Sequence, residues 1–102
     1  MNNWQEKYPK TFRDFEGWLV DKYELEMNFE LTLRTSDFDC AFGHLLKFFS
    51  ENGIEIERNI IDANDIRYDV SLLNHYYRHI EGNLKTPEEA CEKAFKILEG
   101  KK

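Results

Sequence analysis

Ile54-Glu55-Ile56-Glu57-Arg58-Asn59-Ile60-Ile61-Asp62-Ala63-Asn64-Asp65-Ile66-Arg67-Tyr68-Asp69-Val70-Ser71-Leu72 is the stretch on which the fold turns. Ile54, Ile56 and Ile60 alternate with polar residues, and Ile66, Tyr68, Val70 and Leu72 do the same. A period of two sends successive side chains to opposite faces of a strand. Asp62-Ala63-Asn64-Asp65, between the two runs, is a cluster of turn-forming residues, so the stretch reads as an antiparallel hairpin. Arg58 interrupts the apolar face of the first run. The acidic cluster fails as a calcium loop. Its sixth position is Arg67 where a glycine is needed, and its twelfth is Leu73 where a glutamate is needed.

Working outward, Leu25, Met27, Phe29, Leu31 and Leu33 alternate with Glu26, Asn28, Glu30, Thr32 and Arg34, which predicts a further strand. Tyr76 to Ile80 predicts a short one, after a turn at Asn74-His75. Between and around these lie helical patterns. Thr11 is placed to cap a helix whose stripe is Phe12, Phe15, Trp18, Leu19 and Tyr23. Ser36 is placed to cap a second, with Phe38, Phe42, Leu45, Leu46 and Phe49 on one face and Asn52-Gly53 at its end. A third opens with Thr86, Pro87 and Glu89 in a capping box. Its stripe is Ala90, Cys91, Ala94, Ile97 and Leu98, small on one side and suited to close packing on a sheet. Gly100 is expected to close it in a left-handed conformation, with Lys101 and Lys102 against the negative end of the helix dipole.

These elements predict one α+β domain over residues 1–102, with three or four strands and about three helices mostly on one face. The expected order is helix, strand, helix, strand, strand, a further short strand, helix. A crossover helix would let the strand at 25–33 pair in parallel, whereas the later strands are joined tightly enough to be antiparallel.

The composition narrows the class. A hydrophobic share of 41% and an aromatic share of 15% suffice for a packed core in 102 residues, so disorder is not expected. The formal charge of −6 argues against generic binding to nucleic acid or an anionic membrane, which needs a basic footprint. No apolar run approaches the ~20 residues of a membrane-spanning helix. Met1 to Lys7 shows no secretory pattern, which makes a cytoplasmic location the expectation. Cys40 and Cys91 then read as small core residues of two helices, not as a bridge.

The residues give catalysis little footing. Cys40 and His44 share a helix face, and His75 and His79 recur at the same interval, but no spacing matches a structural zinc site, so neither metal nor cofactor is expected. Glu55/Glu57 and Asp37/Asp39 reflect the acidic composition. Ser71 or Cys40 with a histidine lacks the flanking motif of a nucleophile, and no glycine-rich loop is present to cradle phosphate. The distinctive surface candidate is Tyr76-Tyr77-Arg78-His79, two aromatics beside a cation, a combination that anchors protein contacts.

His44 to Ile56, a helix running into a strand, is followed by Leu84 to Leu98 with its Thr-Pro-Glu-Glu-Ala opening. Over about residues 44–99 the chain resembles short, uncharacterised proteins encoded by phages, prophages and mobile elements of gut-type bacteria. That resemblance implies an accessory cytoplasmic protein and brings no catalytic residues. The expectation is a non-enzymatic protein–protein interaction domain using Tyr76, Tyr77, Arg78 and His79. One alternative is an acidic inhibitor of a host defence or nucleic-acid-binding complex that mimics phosphate charge. A second is a small ligand-binding or hydrolytic domain. The oligomeric state is left open.

Overall fold

The β-hairpin forms in the register its alternation requires. In the computed structural model, which describes residues 3–23, 38–73 and 77–101, β1 spans Ile54–Asp62 and β2 spans Asp65–Leu73. They pair antiparallel, with Ile54 opposite Leu72, Ile56 opposite Val70 and Arg58 opposite Tyr68. Ala63 and Asn64 make the turn, and the Asn64 amide donates to Asp62 Oδ1 at 2.7 Å, the side-chain bond that favours aspartate there. A bulge between Ile60 and Asp62 ends the regular pairing. β3, Tyr77–Leu84, pairs antiparallel with β2, so the sheet order is β1-β2-β3. This third strand runs beyond Ile80, where the expected short strand ends, through Glu81, Gly82 and Asn83 to Leu84.

Four helices accompany the sheet among the described residues: α1 (Trp4–Lys7), α2 (Pro9–Tyr23), α3 (Phe38–Glu51) and α4 (Pro87–Glu99). α3 and α4 pack on the sheet, and α2 packs on both. The result is an α+β domain with helices gathered on the face that carries Ile54, Ile56, Tyr68 and Val70. The strand expected at Leu25–Leu33, its parallel pairing, and the cap expected at Ser36 lie outside the described residues.

α4 begins as its sequence requires. Thr86 Oγ1 accepts the Glu89 amide at 3.2 Å, while Glu89 Oε2 reaches back to the Lys85 amide at 3.4 Å. Its end differs from expectation. Gly100 is right-handed, φ −66° and ψ −16°, because its amide continues the helical ladder to Lys96 O. The left-handed glycine is Gly53, φ 81°, which closes α3 and passes the chain into β1.

The core is aromatic and converges on Phe95 of α4. Its ring lies 4.9 Å from Trp4, 6.0 Å from Tyr8, 6.0 Å from Phe12 and 5.1 Å from Phe49, centroid to centroid. All four helices therefore meet at one side chain. A second group joins Phe15, Trp18 and Phe48, with Phe48 linking back to Phe49. Contacts of this kind each add about 0.5–1.5 kcal/mol beyond area burial.

Two further expectations are corrected. Cys91 is buried, but Cys40 is exposed on α3, because the buried face runs through Ala41, Leu45, Phe48 and Phe49. The two thiols are not joined. Thr11 does not cap α2, which starts at Pro9; it is fully buried within the first turn. Its amide and its hydroxyl both donate to Glu99 Oε1 at 2.8 Å, and the Lys10 amide donates to Glu99 Oε2 at 3.4 Å. The carboxylate at the end of α4 thus satisfies open amides at the start of α2. Loss of water around Glu99 pushes its carboxyl up, but the bonds from Thr11 and Lys10 outweigh this and hold it below its ordinary value.

A carboxyl depressed in the folded state stabilises the fold above its ordinary pKa, and that contribution is lost as pH falls through the depressed value. Glu99→Gln is expected to lower Tm at neutral pH and to flatten the acid limb of a Tm-against-pH curve. Thr11→Val, which keeps the shape but loses the hydroxyl donor, is expected to cost about 1–2 kcal/mol in urea denaturation.

Candidate functional site

Among the described residues the sheet has one face covered by helices and one left open, and the open face collects the polar residues of the hairpin. Partners in an antiparallel register share a face. Glu55 lies opposite Ser71, Glu57 opposite Asp69, and Asn59 opposite Arg67, all away from the helices. Ser71 is in turn opposite His79 on β3. Arg78 falls on the other face, opposite Leu72.

The centre of this face is built around Asp69. Its Oδ2 accepts from Asn59 Nδ2 at 2.9 Å, and its Oδ1 accepts from the Asn83 amide at 3.1 Å. Asn83 is left-handed, φ 59°, and the β2–β3 register shifts twice in this neighbourhood. Asp69 therefore pins an irregular stretch of β3 to the central strand. Gly82 permits it. A Cβ on Gly82 would stand 2.7 Å from Asp69 Oδ1 and 2.9 Å from His79 Nε2, closer than side chains tolerate.

Ser71, His79 and Asp69 are a serine, a histidine and an aspartate on one face, the side-chain set of a hydrolase. Their arrangement does not serve that chemistry. Ser71 is 2% exposed, too covered to meet a substrate. Both Asp69 oxygens are committed to Asn59 and Asn83. The His79 Nε2 edge lies over Gly82. The cluster holds a bulge in place.

The remaining candidates are accounted for in the same way. Among the described residues no three His, Cys, Asp or Glu side chains converge to hold a metal. Cys91 is pushed far up by burial and by Glu88, so its thiol stays protonated and unreactive. An open hollow of about 440 Å³ is lined by Tyr8, Glu81, Leu84, Glu89, Glu92, Lys93 and Lys96, and most of its charged groups are paired. Lys93 pairs with Glu81 at 3.3 Å and Lys7 with Glu92 at 3.1 Å. At the hairpin end, Arg67 is engaged by Asp65, whose carboxyl it holds below the usual range. Across the domain, Lys22 bonds Glu51 at 3.2 Å. The Trp18 indole N–H, near that carboxylate, and Lys22 hold it low; among the described residues the buried indole N–H finds no partner in full hydrogen-bonding geometry.

Of the four residues expected to bind a partner, Arg78 and His79 are exposed and on opposite faces. Tyr77 opens β3 opposite Leu73, and Tyr76 lies outside the described residues. Sequence reasoning passed over a different feature. Large apolar side chains are exposed at Ile60 (65%), Ile61 (62%) and Leu73 (38%), all of them on the β1–β2 hairpin. The signal was present in Arg58, beyond which no residue of β1 is buried.

No protein-family model, no curated protein and no solved structure matches the chain.

Gly82→Ala is expected to destabilise the domain by about 1–3 kcal/mol, because Asp69, held by Asn59 and the Asn83 amide, must shift to admit the methyl group. Combining it with His79→Ala should recover part of the loss in urea denaturation. An unchanged midpoint for Gly82→Ala would show that this stretch of β3 is not held as described.

Proposed function

We propose that the chain is a non-enzymatic protein-binding domain of an accessory kind, as its resemblance to phage and mobile-element proteins implies, and that the sheet is its contact surface. The observation that carries this reading is where the exposed apolar side chains lie. The helices bury their stripes at the Phe95 core, while Ile60, Ile61 and Leu73 put isoleucine and leucine into water on the hairpin. Exposed apolar groups ringed by polar residues mark contact surfaces. Arg58, Asp62 and Asn64, all exposed, are the polar neighbours of Ile60 and Ile61 along the hairpin. Leu73, opposite Tyr77 in register, lies at the other end of the hairpin beside the strand that carries Arg78 and His79.

The test is capture of partners from the source cells by the tagged chain and by two variants. Ile60→Asp with Ile61→Asp should reduce recovery at least about tenfold, with the urea midpoint within about 0.5 kcal/mol of the parent, since neither side chain belongs to the core. Arg78→Ala with His79→Ala should reduce it less. Undiminished recovery by the double aspartate variant would remove the hairpin from the binding surface.

A further inference from the structure

We infer that Asn52-Gly53, the junction between α3 and β1, is a site of spontaneous deamidation, and that the closed end of α3 restrains the reaction. Among the asparagines of the chain, Asn52 alone is followed by glycine. A glycine nitrogen has no side chain beside it, so it reaches a neighbouring carboxamide more easily than that of any other residue. The fold also requires glycine at this place. Gly53 closes α3 with φ 81°, a conformation that side chains rarely adopt. The residue that turns the chain into β1 is thus the one that leaves Asn52 open to attack.

The step needs base and water alone. Base takes the Gly53 amide proton, and the nitrogen attacks Asn52 Cγ. As the N–Cγ bond forms, the Cγ–Nδ2 bond breaks and ammonia leaves with a proton. The five-membered succinimide then takes up one water at either of its carbonyls, leaving aspartate or isoaspartate at position 52. In the closed structure both reacting groups are held. Asn52 Nδ2 donates to Phe48 O at 2.8 Å, and the Gly53 amide donates to Ser50 O at 3.1 Å. The Asn52 amide donates to Phe49 O at 2.9 Å. Reaction therefore passes through opening of this last turn, and helix ends open more readily than a core.

The product does not fit the place. A carboxylate cannot donate to Phe48 O as the carboxamide does. It also puts negative charge at the negative end of α3, which already finishes in Glu51. Isoaspartate further adds a methylene to the main chain just before Gly53, whose carbonyl accepts the Leu73 amide at 2.7 Å. That bond ties the approach to β1 to the end of β2. Deamidation thus loosens the joint between the hairpin and α3, the helix that buries Phe48 and Phe49. The change is one-way, since ammonia is lost.

The experiment incubates the purified full chain at mildly alkaline pH, folded and in urea, and follows each asparagine by peptide mapping with mass spectrometry. In the folded chain, aspartate and isoaspartate should accumulate at position 52 before any other asparagine changes. In urea the reaction there should run at least about tenfold faster, and under those conditions Gly53→Ala should slow it by a similar factor. Asn52→Asp should raise the unfolding equilibrium constant about tenfold, with the Leu73 amide losing exchange protection before that of Phe95. First reaction at another asparagine, or a rate in urea that Gly53→Ala leaves unmoved, would overturn the site. Equal rates in the folded and unfolded chain would overturn the restraint by α3. An Asn52→Asp variant as stable as the parent would overturn the structural consequence.

Discussion

Phe95 is the contact on which the architecture depends. Its ring is fully buried and meets aromatic rings from α1, from the junction before α2, from α2 and from α3. The helix that carries it sits against the sheet, so one side chain couples the amino-terminal helices to the strands. Ala90 and Ala94 on the same helix are fully buried and small, which lets its backbone come close to the strands while Phe95 fills the space between helices. Glu99, at the end of that helix, fixes its position along α2 through Thr11. Packing sets the contact, and the charged hydrogen bonds set the register.

The limits of this core explain the surface. Helices cover Ile54, Val70 and Tyr68, and burial along β1 stops after its first residues. Among the described residues no helix lies over the rest of the hairpin, and Ile60 and Ile61 are exposed there. Asp69, Asn59 and Asn83 tie β1, β2 and β3 together on the open face. A contact surface on a rigid sheet loses little entropy when a partner docks, and that favours recognition along a strand over a mobile loop.

Much of the fold was legible because it is local. Alternation through Ile54–Leu72 set the hairpin and its faces, and Thr86 with Glu89 set the start of α4. What escaped depends on distant partners. Thr11 looked like a cap because a threonine near a helix start usually is one; its acceptor lies 88 residues away. Phe95 was left out of the α4 stripe because the small residues Ala90 and Ala94 drew the face, although Cys91, Phe95 and Leu98 recur at helical spacing. Cys40 was placed in the core because it borders Ala41, which holds the buried position instead. Gly100 looked like a left-handed stop, but the ladder simply continues through it. For the candidate surface, Tyr76–His79 stood out by residue type, whereas Ile60 read as part of the apolar face of the hairpin and Ile61 was not singled out. Only the end of helix cover beyond Ile56 reveals them as surface.

The account divides the molecule into a core centred on Phe95 and a hairpin end that stands outside it. Native-state hydrogen exchange measures that division residue by residue. The amides of Phe12, Phe49, Val70 and Phe95 should exchange only through global unfolding, with free energies that move together in denaturant. The amides from Arg58 to Ile66 should exchange through smaller openings, largely independent of denaturant. If the Ile60 and Ile66 amides shared the full opening free energy of Phe95, the hairpin end would belong to the core and the central claim would be contradicted.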